Sequence, residues 1–202
     1  MSTGLTTTMT DAVAGGRTAR RAPTDSARFG MGLFVFTEVM LFSGFISAFI
    51  IVHSGAPAGS WPPPGQPRLP IERTAVNTLA LLASGVALFI AGRRFRGPAP
   101  RAATPWMGAA LALGSFFVIA QGMEWGALLR GGLTMTSSQM GAFFYLIVGM
   151  HALHAVVAIL ALAWAWRSQR AGRLTGARLG AVQLFWYFVV LIWPILYWKV
   201  YL

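Results

Sequence analysis

The sequence predicts an all-α membrane protein, a bundle of five transmembrane helices with the N-terminus cytoplasmic and the C-terminus outside. Three observations carry that expectation. Of 202 residues, 56% are hydrophobic and only 10% are charged, where an average soluble domain carries roughly 25% charged residues. The apolar residues gather into five stretches, each near the ~20 residues that cross the hydrocarbon of a bilayer. The basic residues are shared unequally between the segments that join those stretches, the pattern that fixes orientation in a membrane.

The elements follow in order. Residues 1–28 are rich in Thr, Ala and Arg and lack an apolar run of signal-peptide type, so they read as a flexible basic tail ahead of a domain over 29–202. The first span is expected at 31–53. The second, at 76–92, is the shortest, and Thr74, Ala75 and Asn77 extend it into the headgroup region. Between them, Trp61-Pro62-Pro63-Pro64 cannot be helical through its prolines and reads as an extended polyproline segment. The remaining spans are expected at 106–129, 139–166 and 180–198. Arg17, Arg20, Arg21, Arg28, Arg93, Arg94, Arg96, Arg101, Arg167, Arg170, Arg173 and Arg178 fall on one side, against Arg68, Arg73, Arg130 and Lys199 on the other. The side richer in arginine is the cytoplasmic one. Tyr197, Trp198 and Tyr201 around Lys199 suit an outer interfacial belt.

Composition also excludes chemistries. Without cysteine the chain has no disulfide, zinc–thiolate site, iron–sulfur cluster or thiol nucleophile. The net charge of +11 is spread over short inter-helix segments rather than one patch with interleaved aromatics, which argues for anionic lipid headgroups and against nucleic acid. Neither a Glu-x-x-His di-iron motif nor a cluster of several His is present, and two His on one helix face cannot ligate opposite faces of a haem. No metal, cofactor-binding or catalytic residue is assigned.

What stands out is polarity in expensive places. Glu38 and Glu124 lie inside expected spans, where a central acid costs about 2.5–3.5 kcal/mol on an insertion scale. His151 and His154 lie three residues apart on the fourth span, on one face. From a rise of ~1.5 Å per residue, Glu38 sits ~10 Å from the inner end of its span, and the two imidazoles about 8–12 Å from the inner boundary of a ~30 Å core. Tyr187 enters the same inner layer, whereas Gln121, Glu124 and His53 fall in an outer layer. The inner layer reads either as a proton-handling site or as a hydrogen-bonded clasp between the first, fourth and fifth helices.

At these positions the chain resembles subunit III of haem-copper oxidases, the cytochrome c oxidase and quinol oxidase family. The resemblance rests on Phe36-Thr37-Glu38-Val39-Met40-Leu41-Phe42-Ser43-Gly44, Trp61-Pro62-Pro63-Pro64, Asn77-Thr78-Leu79, Gln121-Gly122-Met123-Glu124-Trp125, Phe144-Tyr145-Leu146 and His151-Ala152-Leu153-His154, in that order. It implies a five-helix form that corresponds to the last five helices of seven-helix members. It further implies a non-catalytic subunit of the bacterial cytoplasmic membrane, with no cofactor of its own and with haem and copper in partner subunits. That subunit packs on subunit I, with subunit II and a respiratory supercomplex as further partners, supports proton uptake and binds phospholipid. By position Glu38 matches the family's buried carboxylate, and His151 and His154 its two-His helix. The last helix departs from the family pattern, with Tyr187 in place of a His and Val190 in place of an Asp. Two alternatives stand beside this reading: a nitric oxide reductase-associated relative, and a small proton-linked transporter using Glu38, His151 and His154.

Overall fold

The computed structural model describes residues 23–57, 69 and 71–201. Among them every regular element is helical: α1 (Pro23–Ser54), α2 (Ile71–Phe95), α3 (Thr104–Arg130), α4 (Gln139–Arg170) and α5 (Gly176–Leu196). A 3-10 turn over Pro100–Ala103 leads into α3, and a π-helical turn over Tyr197–Tyr201 prolongs α5. All five helices are long and apolar enough to cross a membrane. The Trp61–Pro64 segment and residues 1–22 lie outside the described residues.

The helices outrun the apolar windows because hydropathy marks only what lipid covers, while a helix continues until something stops it. At the start of α4, Ser138 accepts a hydrogen bond from the Gly141 amide at 3.0 Å, and Thr175 does the same for Arg178 at 3.4 Å at the start of α5. These are N-caps that satisfy amides with no intrahelical partner. The ends of α3 and α4 need a left-handed residue, supplied by Gly132 (φ 91°) and Gly172 (φ 68°). Helix α1 begins at Pro23, within the stretch read as tail.

Helix α5 is the centre of the bundle, packing on α1, α2 and α4, while α3 lies between α2 and α4. Its face toward α2 is a stripe at helical spacing, Gln183, Trp186, Val190 and Trp193. Each meets a partner on the antiparallel α2. The Gln183 amide donates to the Leu88 carbonyl at 3.0 Å, the Trp186 indole to Ser84 Oγ at 3.2 Å and the Trp193 indole to Thr78 Oγ1 at 2.8 Å. Val190 lies against Gly85, where an added Cβ would stand 3.1 Å from its Cγ1. Lipid removes the hydrophobic drive between helices, so association here depends on this close packing at small residues and on interhelical hydrogen bonds. Trp186 and Trp193 are both wholly buried.

Helix α1 is the least enclosed, with 11% of its apolar window buried against 56% for α5. Phe29, Leu33, Phe36 and Met40 form its exposed side. Its inward contacts are Phe42 and Phe49, both buried, and it is fastened at one end by Arg28, which donates to the Gly176 carbonyl at 2.9 Å.

Candidate functional site

The inner polar residues meet where α1, α4 and α5 pack together. His154 Nε2 lies 3.0 Å from Glu38 Oε2, at hydrogen-bond distance but out of alignment for a directed bond. The other ring nitrogen, Nδ1, is 2.7 Å from the Met150 carbonyl oxygen. A carbonyl only accepts, so Nδ1 carries a hydrogen. Nε2 is then either bare or the second N–H of an imidazolium. A bare Nε2 facing an ionised carboxylate would set lone pair against lone pair, so the contact is favourable only with one proton between the two groups. It resides on the glutamate as a neutral pair or on the imidazole as an ion pair. The pair is a one-proton device with no net charge in either form, the arrangement that costs least in a low-dielectric interior.

Aromatic rings wall the pair off. Phe42 lies 5.7 Å from the His154 ring, Phe185 6.2 Å and Phe188 6.0 Å, all edge-on. The side chains of Glu38 and His154 nonetheless keep 15% and 10% of their surface open. The pair therefore sits at the rim of the bundle rather than at its centre.

His151 is placed differently. It is buried, its ring 4.9 Å from that of Trp193 at a 30° tilt, with Phe42 edge-on at 6.5 Å. Tyr187 is half-buried and accepts from the Gln183 amide at 3.3 Å, on a groove between α1 and α5 rather than on the Glu38–His154 pair. Of the four residues expected in the inner layer, Glu38 and His154 come within hydrogen-bond distance of each other.

In the outer layer Gln121 donates to the Tyr201 hydroxyl at 3.0 Å and accepts from Asn77 at 3.4 Å. Glu124 pairs with Arg73 at 3.4 Å. This links α2, α3 and the final turn. His53 belongs to the exposed last turn of α1, its ring stacked 5.9 Å from Phe49. Asn77, Arg73 and Tyr201 are the outer partners that sequence reading did not assign to this layer. Asn77 carried a usable signal, a carboxamide inside a span.

Among the described residues no group of three or more His, Asp or Glu side chains is placed to hold a metal ion. What the arrangement can do is hold, give up and regain a proton near the lipid-facing edge, or clasp α1 to α4.

The profile of a family described as cytochrome c oxidase subunit III matches residues 8–202. Among relatives, cytochrome c oxidase subunit 3 of Synechocystis sp. is 31% identical over 182 residues, covering 88% of this chain and 76% of the relative. The subunits 3 of Equus caballus and Sus scrofa are 31% and 32% identical over 183 residues, covering 86% of this chain and 68% of each relative.

Proposed function

This chain belongs to the cytochrome c oxidase subunit III family, and on that premise we propose that it supports proton uptake by the catalytic subunit through the Glu38–His154 pair. As a member of that family it is an accessory, non-catalytic subunit of a respiratory oxidase. The observation that carries the proposal is the proton count of the pair. A Glu–His contact whose imidazole is already committed to Met150 through Nδ1 keeps a single labile proton. A clasp built only for packing has no need of a titratable couple, since a Gln or Asn would bond as well.

In this reading the chain packs against oxidase subunit I, with subunit II in the same complex, and haem and copper belong to those partners. The side rich in arginine, including Arg93, Arg94, Arg96, Arg101, Arg167 and Arg170, faces the cytoplasm of a bacterium, which sets the N-terminus inside and the C-terminus outside. The same arginines suit the phosphate groups of bound phospholipid. Glu38 then lies toward the cytoplasmic side, the side from which protons are drawn.

The test is purification of the tagged chain in mild detergent, followed by a reduced-minus-oxidised spectrum and oxygen uptake coupled to proton release. Haem bands and oxygen consumption should accompany the chain. Glu38→Gln should leave haem content unchanged and lower protons moved per oxygen on sustained turnover. An unchanged proton yield would assign the pair to packing alone.

A further inference from the structure

Helix α3 carries two glycines one turn apart, Gly122 and Gly126, and a Cβ added at either would meet nothing within 4 Å. At Gly85, Gly92 and Gly114 an added Cβ would instead crowd a side chain of α5, namely Val190, Gln183 or Trp186. Glycine inside a helix weakens it relative to alanine. At those three positions the loss is offset by close packing between helices. At Gly122 and Gly126 nothing in this chain offsets it. The exposed sides of α2 and α4 show a face suited to lipid, with Val76, Leu79, Val86 and Phe89 on one and Leu153 and Leu160 on the other.

Beside Gly122 the surface is hollow. A half-open cavity of about 170 Å³ lies there between α3 and α4, with the buried rings of Trp193 and His151 behind it. Gly122 is on its α3 edge, Ala152 and Ala155 are on its α4 edge, and the lining is almost wholly apolar. The cavity sits about midway along both helices, at the depth of hydrocarbon. A dry apolar cavity of about 150 Å³ holds a benzene ring, so this one has room for one bulky apolar side chain. Glycines four apart let a second helix backbone come close enough to place such a side chain. An acyl chain requires no such flattening of the helix surface. Membership of an oxidase complex puts other membrane subunits beside this one.

We propose that the α3–α4 groove is the docking surface for a transmembrane helix of a neighbouring oxidase subunit. That helix crosses at Gly122 and Gly126 and sets one Leu- or Phe-sized side chain into the cavity. The contact is steric and apolar, backbone against backbone and carbon against carbon, with no proton, ion or water taking part. It rests on this chain being an oxidase subunit and not on the proton-uptake role of Glu38.

Single diazirine side chains at Ile119 and Met123, each 63% exposed and close to Gly122 on α3, report what covers the groove in the detergent-purified complex. Irradiation should join them to a peptide of another oxidase subunit, identified by mass spectrometry, while Leu79 on α2 is joined to lipid or detergent. Gly122→Leu should accumulate in the membrane as the unaltered chain does, since space is open at that Cβ, yet haem recovered with the tagged chain should fall several-fold. Ala83→Leu, on the exposed side of α2, should leave haem recovery unchanged. Adducts at Ile119 and Met123 confined to lipid or detergent overturn the proposal, as do adducts to a second copy of this chain. So does full haem recovery with Gly122→Leu. The crosslink is read with both glycines intact, so it decides the matter even where the leucine variant fails to accumulate, and neither readout depends on the proton yield at Glu38.

Discussion

If the Glu38–His154 contact is a one-proton device, replacements at Glu38 should separate its packing from its proton. In Glu38→Gln the amide donates to His154 Nε2 while Nδ1 stays on Met150, so the link between α1 and α4 survives and the labile proton is gone. In Glu38→Leu the link itself is lost. Interhelical polar bonds in a membrane average about 0.6 kcal/mol and reach about 1.7 kcal/mol. The misaligned 3.0 Å approach places this one at the low end. The coupling energy from Glu38→Leu, His154→Leu and the double variant should therefore be about 0.5–1 kcal/mol. Glu38→Gln should lie within about 0.5 kcal/mol of the unaltered chain. Reversible unfolding in mixed detergent measures the cycle, and infrared difference spectra of the working complex report the carboxyl. A coupling near zero, with a carboxyl signal insensitive to turnover, would refute the proton-sharing argument.

Three further outcomes follow from the α2–α3–α5 packing. In Gly114→Ala the new Cβ would stand 2.5 Å from the ring of Trp186, which Ser84 holds in place, whereas at Gly126 nothing lies within 4 Å. Unfolding should show Gly114→Ala destabilised by about 1–3 kcal/mol relative to Gly126→Ala, since both gain the same helix propensity and only one is overpacked. Ser84→Ala leaves the buried Trp186 N–H without its acceptor, and should cost about 0.6–1.7 kcal/mol in the same assay. A Cβ at Gly92 would collide with the Gln183 amide, so Gly92→Ala should be destabilising and Gln183→Ala should partly rescue it; strict additivity of the two would show that they do not meet.

The number and order of helices were legible because lipid imposes one rule on every span, about 20 apolar residues without charge. Their ends were less so, since Thr175 and Ser138 act as caps outside the apolar windows, and α1 runs back to Pro23, ahead of its apolar run. The departure at Val190 was visible in the sequence as a lost Asp, but its accommodation was not. The valine is buried against Gly85, one of the small residues that let α2 approach α5. Read from one strand of sequence, a Gly in one helix and a Val in another carry no mark that they belong together.

Depth and direction are separate coordinates, and sequence supplies them unequally. Rise per residue places Glu38, His151, His154 and Tyr187 in one layer, and the structure does bring Glu38 and His154 into contact. Rotation about the helix axis decides which residues of that layer face one another. His151 and His154 share a face only coarsely, since three residues turn the helix by about 300° and leave them some 60° apart. That offset turns His154 onto Glu38, at the edge of α1, and His151 onto Trp193 and the cavity beside α3. Tyr187 shares the depth but points along the α1–α5 groove, where Gln183 holds it. A pair of histidines that reads as one motif is thus two sites that share the Phe42 ring and differ in their other partners. A substitution at His151 should leave the Glu38 and Met150 contacts of His154 in place, while Phe42, packed on both rings, is where the two sites meet.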